Sequence, residues 1–206
     1  MRLEGGPVSR AIAGRRSVRN FAPKAVDIDT IQQLVGLACT APAPHHSQPW
    51  RFVHMGSSNA RISLSDAMTD SWRSDLEREG KSVHEIAKVL QRSQQQISHA
   101  PALLLACLML AEARLWDDVD RRRAERDMFV QSLGAALQNI LVGAGESGLV
   151  GYLKGAPLFC AEAVREALEL PAELEPTFLV LLGYPQVGAA PAARASIRID
   201  DFLIER

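Results

Sequence analysis

The sequence feature that most constrains the fold is an apolar run from Ala102 to Leu110, directly after Pro101. A strand with one face in water alternates apolar and polar residues, whereas a strand buried on both faces is apolar throughout. The wider apolar run, residues 100–113, is shorter than the about 20 residues that a bilayer span requires. We therefore expect a central strand of a sheet and not a membrane span.

Helical periodicity, capping residues and breakers divide the rest of the chain into an α+β domain with three or four strands and about six helices. The expected helices cover residues 7–14, 27–40, 57–79, 82–99, 122–146 and 159–168, and the expected strands cover 50–55, 102–110, part of 148–155, and 177–184. This interpretation gives one domain over residues 1–185 and a C-terminal arm over residues 186–206.

Two features bear on self-association. The longest expected helix carries small residues that permit a close helix–helix approach, either within the chain or between subunits: Gly134, Ala135, Ala136 and Gly143. The C-terminal arm ends in an apolar segment, residues 197–204, that follows an Ala/Pro-rich stretch. An apolar segment on such an arm must bury itself, and a partner subunit is a natural place for it.

Composition excludes several classes of function. The formal net charge is -1, which argues against a nucleic-acid or anionic-membrane partner, since both call for a basic surface. Cys39, Cys107 and Cys160 are far apart and odd in number, so no disulfide framework is expected. The N-terminal residues lack an apolar signal-peptide core. We expect a soluble cytoplasmic protein.

Three arginines and a serine lie close together near the end of the first helix, and we call them the arginine cluster: Arg15, Arg16, Ser17 and Arg19. Guanidinium groups and a hydroxyl provide the charged, bidentate donors that a phosphate monoester requires. The alternative is a solvated helix end, where arginines answer the helix dipole.

The segment from Thr40 to Trp50, which we call the proline loop, carries Pro42, Pro44 and Pro49 among polar side chains. Three prolines disfavour both helix and sheet interior, so a stiff, shaped loop is expected. A linker is the alternative. A linker rarely contains a tryptophan and two histidines.

Several familiar sites are absent from the sequence. It has no GxGxxG after a strand, no GxxxxGK[ST] loop and no GxSxG elbow. His45 and His46 are adjacent without a third ligand at a suitable spacing, so no metal site is expected. The arginine cluster, the proline loop and a glycine-flanked turn over residues 148–151 remain. Together they would suit a phosphate-bearing planar cofactor held largely by the backbone.

Four motifs together resemble those of FMN-dependent nitroreductase-like flavoproteins: Arg15–Phe21, Pro44–Trp50, Gly134–Gly151, and Gly183–Pro185 followed by Arg194 and Arg198. The resemblance covers nearly the whole chain. It implies a three-layer α+β fold with a central, mostly antiparallel sheet flanked by helices. It also implies a homodimer with FMN at the interface and a small-molecule substrate.

Two further blocks, Thr40–His46 and Trp72–Leu76, resemble the C-terminal domain of the bifunctional ligase that completes the deazaflavin coenzyme F-420. That closer resemblance implies FMN-dependent reduction of the dehydro precursor of the coenzyme. A general NAD(P)H-dependent nitro or quinone reductase is the enzymatic alternative. A flavin or deazaflavin carrier without turnover is the non-enzymatic one.

The resemblance also implies roles for individual residues. The arginine cluster would hold the phosphate and the polar edge of the ring, with Arg19 tuning the reduced flavin. Other implied cofactor contacts are Ala43, Pro44, His46, Ser47, Leu149, Val150, Gly151, Arg194 and Arg198. Implied substrate contacts are His45, Trp72, Arg73 and Asp75. Three positions depart from the family pattern: His46 replaces Asn, Val150 replaces Gly, and Leu153 replaces Trp.

Overall fold

A four-stranded sheet lies at the centre of the protein, whose computed structural model describes residues 5–189, 191 and 193–206. Six helices surround the sheet in the described part of the chain. The helices are α1 Pro7–Gly14, α2 Ile28–Ala38, α3 Ser58–Arg78, α4 Val83–His99, α5 Val119–Gly143 and α6 Ala161–Ala167, and the strands are β1 Trp50–His54, β2 Ala102–Met109, β3 Val150–Lys154 and β4 Leu174–Gly183.

The expected helices are confirmed, and side-chain caps define where most of them begin. Asp27 accepts a hydrogen bond from the Thr30 amide at 2.7 Å, and Ser82 forms a capping box with Glu85. The expected start of α5 at Arg122 was wrong, because Asp118 accepts from the Arg121 amide and starts the helix at Val119.

The sheet order is β1-β2-β4-β3, and every strand pair is antiparallel. The central position of β2 is confirmed, since it pairs on both sides. Its alternate side chains enter two cores. Leu104 and Leu108 pack with α2 and α5, while Leu103 and Leu105 face the side of α3 and α6. The three-layer α+β architecture is thus confirmed.

The small residues of α5 serve different purposes. A Cβ on Gly143 would contact Leu37 and Leu34 of α2, so this glycine permits close packing within the chain. A Cβ on Gly134 would meet nothing within 4 Å. The segment Val119–Ser147 is long and apolar enough to cross a membrane by length and composition alone, but its apolar stripe packs against α2 and the sheet.

The topology separates the arginine cluster from the proline loop. Residues Ser17 and Val18 run along the outer edge of β3, where the Val18 amide donates to Gly151 O at 3.3 Å. The proline loop leads into β1 at the opposite edge. Three strand spacings, about 14 Å in all, therefore separate the two edges of the sheet.

The two segments also lie at opposite ends of the strands. Trp50 pairs with Leu108 near the end of β2. Val150 pairs with Gly183 of β4, next to Leu182, which pairs with Ala102 at the start of β2. The cluster and the loop therefore occupy diagonal corners of the sheet.

Candidate functional site

The arginine cluster forms one wall of a cationic cavity of about 300 Å³. The chain leaves α1 at Gly14 and continues in extended form, so that these side chains lie beside β3 rather than on a helix surface. Arg194 of the C-terminal arm joins them and donates from Nη2 to Arg15 O at 3.0 Å. The described residues that line this cavity carry four guanidinium groups and no carboxylate.

A second cavity of about 540 Å³ adjoins the first and shares Arg15 and Arg16 with it. It lies between α1, the end of α5 and the start of β3. Its walls are mostly apolar and include Leu141, Val142, Leu149, Val150, Gly151 and Pro185. A cationic cavity beside a larger apolar one fits a ligand that carries a phosphate and a flat ring, as FMN does.

The turn from α5 into β3 brings residues 149–151 to this cavity. Gly148 adopts φ +68°, and the Leu149 amide donates to Ala144 O at 2.9 Å, which closes the helix end. A Cβ on Gly151 would lie 2.5 Å from Leu181 O, so the sheet itself requires glycine there. Val150 is half-buried at the cavity wall, which has space for its side chain in place of the family glycine.

Arg19 lies over an aromatic side chain of β3. Its guanidinium carbon lies 5.1 Å from the ring centroid of Tyr152. The Tyr152 hydroxyl is buried and has no hydrogen-bond partner among the described residues. Burial raises the pKa of Tyr152 to about 12, and the charges of Arg19 and Arg92 oppose the rise. Tyr152 therefore stays protonated near Arg19.

The proline loop has an unusual backbone. Its short 3₁₀ turn, Pro44–His46, includes positive φ values at His45 (56°) and His46 (55°), and Gln48 follows at 47°. A non-glycine residue in such a conformation costs on the order of 1–3 kcal/mol and persists only where its surroundings enforce it. Ser47 Oγ helps by donating to Pro44 O at 2.7 Å. Backbone strain of this kind is concentrated at functional sites.

A buried carboxylate also holds the proline loop. Glu125 of α5 lies 3.1 Å from His45 Nε2, and it accepts from the Arg114 amide at 3.0 Å and from Trp116 Nε1 at 3.2 Å. The Arg114 amide, more than the other partners, holds the pKa of Glu125 below its usual range. Three separate segments therefore meet at one ionised side chain.

Glu125 is a residue that the sequence reasoning missed. It is 3% exposed, although it is charged. The signal was its spacing: Glu125 is one helical turn before the buried Phe129 and two turns before the buried Leu133, so it continues their stripe. A charge on an apolar stripe predicts a buried partner.

In one chain the proline loop does not reach the arginine cluster. Its cofactor candidates, Ala43, Pro44, His46 and Ser47, line neither of the two cavities beside β3. They lie instead at the start of β1, on the far corner of the sheet. The structure thus brings together the cluster, residues 149–151 and Arg194, and leaves the loop apart.

The residues expected to contact the substrate also lie in different parts of the structure. Trp72 and Asp75 line a third cavity of about 500 Å³ between α3 and the turn before α6. Arg73 is exposed and does not line it, and His45 lies with Glu125.

Lys154, at the end of β3, completes this third cavity and was missed by the sequence reasoning. Its Nζ donates to Ser93 Oγ at 2.6 Å and to Gln96 Oε1 at 3.1 Å. Burial lowers the pKa of Lys154 to about 8, and the charge of Arg92 acts in the same direction. The cavity therefore has a base that titrates near physiological pH.

The remaining candidates have no place in these cavities. Arg198 is exposed, precedes a short 3₁₀ turn and lines neither cavity beside β3. Cys107 is buried as expected, whereas Cys39 is only half-buried at the end of α2. Over residues 5–189, 191 and 193–206, no group of three His, Cys, Asp or Glu could hold a metal ion.

Comparison with curated proteins gives relatives that match along most of the chain. An iodotyrosine deiodinase from Haliscomenobacter hydrossis is 26% identical over 190 residues, which cover 85% of this chain and 78% of the relative. An Archaeoglobus fulgidus protein named as an NADH dehydrogenase/NAD(P)H nitroreductase is 25% identical over 181 residues, covering 86% of this chain and 84% of that protein.

Solved structures show the same fold. A BluB-like flavoprotein from Clostridium difficile aligns with a TM-score of 0.81 at 20% identity, over 98% of this chain and 100% of the other. A Desulfovibrio desulfuricans protein described as a nitroreductase in complex with FMN aligns with a TM-score of 0.73 at 21% identity, over 98% of each chain.

A family model also matches most of the chain. The model of the nitroreductase family covers residues 12–184, which include the arginine cluster, the proline loop and all four strands. The chain therefore belongs to the nitroreductase family and is an oxidoreductase.

Proposed function

We propose that this chain is an FMN-dependent oxidoreductase that passes electrons from NAD(P)H to small nitro or quinone compounds. The observation that carries the proposal is the cationic cavity of the arginine cluster beside the apolar cavity at residues 149–151. The relatives named as NAD(P)H nitroreductases and the related structure in complex with FMN support the choice of donor and cofactor.

The protein's own residues would bind and orient the cofactor. Arg15, Arg16, Ser17 and Arg194 would hold the phosphate through charged and hydroxyl donors. Arg19 carries a permanent charge and would stabilise negative charge that accumulates during reduction. FMN supplies the hydride chemistry when bound, so no nucleophilic side chain is required.

A second copy of the chain would complete the site. The proline loop is strained, yet in its own chain it lies far from the cavities beside β3. A two-fold dimer would bring the loop of each chain to the cluster of the other. The arm supports this arrangement, since Phe202 and Ile204 near its end are 74% and 78% exposed.

Steady-state kinetics test the proposed activity. The purified protein is loaded with FMN and mixed with NADH or NADPH and either menadione or nitrofurazone. We expect oxidation of the nicotinamide that depends on both FMN and the acceptor. Binding of FMN without turnover for any donor and acceptor would instead indicate a flavin carrier.

Reduction of the dehydro precursor of coenzyme F-420 is a second candidate. It is supported by the sequence block around Trp72, because Trp72 and Asp75 line the third cavity. An anaerobic assay with reduced FMN and the dehydro precursor tests it. Formation of the saturated product supports this candidate, and its absence together with quinone turnover leaves the general reductase.

A further inference from the structure

A polar cleft of about 340 Å³ shares Arg19 with the cationic cavity. It is formed by the segment that follows the arginine cluster, by the second half of α4, and by the start of the C-terminal arm. Its polar lining includes Arg19, Asn20, Arg92, Gln95, His99 and Gln186. Among the described residues that line it, none is acidic.

One face of α4 is built towards this cleft. Arg92, Gln95, Gln96 and His99 follow one another at the spacing that places side chains on one side of a helix. The neighbouring residues Ser93 and Ile97 are buried against the protein. These polar side chains therefore line an open cleft, in which Arg92, Gln95 and His99 are exposed and Gln96 is half-buried.

The cations around the cleft lack described anionic partners. Arg92 acts electrostatically on both Tyr152 and Lys154, and Arg19 lies over the Tyr152 ring. No carboxylate of the described residues lies within ion-pair distance of Arg19, Arg92 or Lys154. Converging like charges repel one another, and a bound anion would relieve that repulsion.

The donor set defines the chemistry of the ligand. Two planar guanidinium groups with side-chain amide donors match the oxygens of a carboxylate, sulfonate or phosphate. The cleft volume of about 340 Å³ is near the lower end for small-molecule sites and suits an anionic group with a modest body.

We propose that this cleft binds the anionic group of the compound that exchanges electrons with the flavin. The inference rests on the proposed function, because Arg19 is shared between the cleft and the cavity assigned to FMN. The anion has two sources, the phosphates of the nicotinamide donor or an acid group on the acceptor. Arg92 is then a specificity-determining residue for whichever compound supplies the anion.

The test compares Arg92→Met with Lys81→Met in the FMN-loaded protein. Lys81 is exposed in the turn between α3 and α4 and does not line the cleft, so it is a control with the same loss of charge. The acceptors are anthraquinone-2-sulfonate, which is anionic, and menadione, which is neutral. The donors are NADH and NADPH.

For each anionic compound, the quantity compared is the ratio of its KM to the KM of menadione. We expect Arg92→Met to raise this ratio about ten-fold or more for one of them, because a charged hydrogen bond is lost. A higher KM ratio for the sulfonate identifies the acceptor as the source of the anion. A higher KM ratio for NADH and NADPH identifies the donor as the source. Lys81→Met should leave each of these KM ratios within about two-fold of the wild-type value. Equal KM values in wild type and Arg92→Met would overturn the inference.

Two further outcomes separate this inference from the proposed function. If Arg92→Met weakens FMN itself and leaves every KM ratio unchanged, the cleft belongs to the flavin site and the inference is wrong. If wild type shows no turnover, the proposed function fails, and calorimetric titrations with anthraquinone-2-sulfonate and with NADPH decide instead. Weaker binding of either compound by Arg92→Met but not by Lys81→Met supports the cleft, and equal binding of both compounds by all three proteins overturns it.

Discussion

At the scale of single residues, the account depends on charges that the fold keeps in unusual places. Glu125 is the clearest case, because a buried carboxylate receives hydrogen bonds from His45, Arg114 and Trp116. The first of these belongs to a backbone segment that adopts positive φ. Glu125 thus stabilises a conformation that the proline loop would otherwise leave.

Replacing Glu125 by Leu should destabilise the fold and loosen the proline loop. Three part-buried donors would lose their acceptor, so we expect a lower free energy of unfolding. Because the folded pKa of Glu125 is lowered, its stabilisation is present above its unfolded pKa and is lost as the pH falls through the folded one. Urea unfolding at several pH values checks this, with Glu125→Gln as the near-isosteric control.

Lys154 gives a second pH dependence, in a higher pH range. Its folded pKa of about 8 lies below the ordinary value of 10.5, so the folded state binds fewer protons between these values and stability rises with pH there. The Lys154→Met variant has no amine at this position, so its stability should not rise with pH in this way. Unfolding curves from about pH 7 to 10 should therefore show wild type gaining stability relative to the variant. A constant difference would mean that Lys154 titrates normally, despite its burial and the charge of Arg92.

At the scale of elements, β3 links the sheet to the candidate site. Gly151 pairs with Leu182 of β4 and leaves no space for a side chain, because a Cβ would lie 2.6 Å from Leu182 Cδ2. Gly151→Ala should cost about 1–3 kcal/mol of stability through this overlap. The control is Gly134→Ala in α5, which faces open space and should gain up to about 1 kcal/mol of helix stability. Thermal unfolding of both variants measures the contrast, and equal melting temperatures would contradict it.

The elements were largely predictable from sequence because their signals are local. Asp27, Ser57 and Ser82 cap helices where the sequence places them. The start of α5 was misplaced because the charged residues before Arg122 hid the cap at Asp118. The partners of Glu125 were not predictable, since they come from residues 45, 114 and 116 and meet only in the folded chain.

At the scale of the whole molecule, the strand order decides how the site is assembled. The family motifs identified both the arginine cluster and the proline loop, but not that one sheet holds them at diagonal corners. That separation follows from the order β1-β2-β4-β3, which long-range pairing sets and local sequence does not. A second copy of the chain is therefore part of the proposed site.

Mixed dimers test this arrangement. Arg15→Met removes a cluster contact, and His46→Asp places a negative charge in the loop with a residue that tolerates positive φ. With FMN added only to the level that fills wild-type sites, each variant alone should show little activity, whereas randomly mixed chains should recover about a quarter of wild-type activity, because half the dimers hold one intact site of two. If the mixture shows only the average of the two variants, the site lies within one chain.

The most direct measurement of the central claim is a titration of the purified, cofactor-free protein with FMN, followed by flavin fluorescence. We expect one FMN per chain, bound with a Kd of about 1 μM or tighter. Arg15→Met should weaken binding by about ten-fold or more through the lost charged contact, and Lys81→Met should not. Unchanged fluorescence with wild type, or equal affinities for wild type and Arg15→Met, would contradict the assignment of the arginine cluster as the FMN phosphate site.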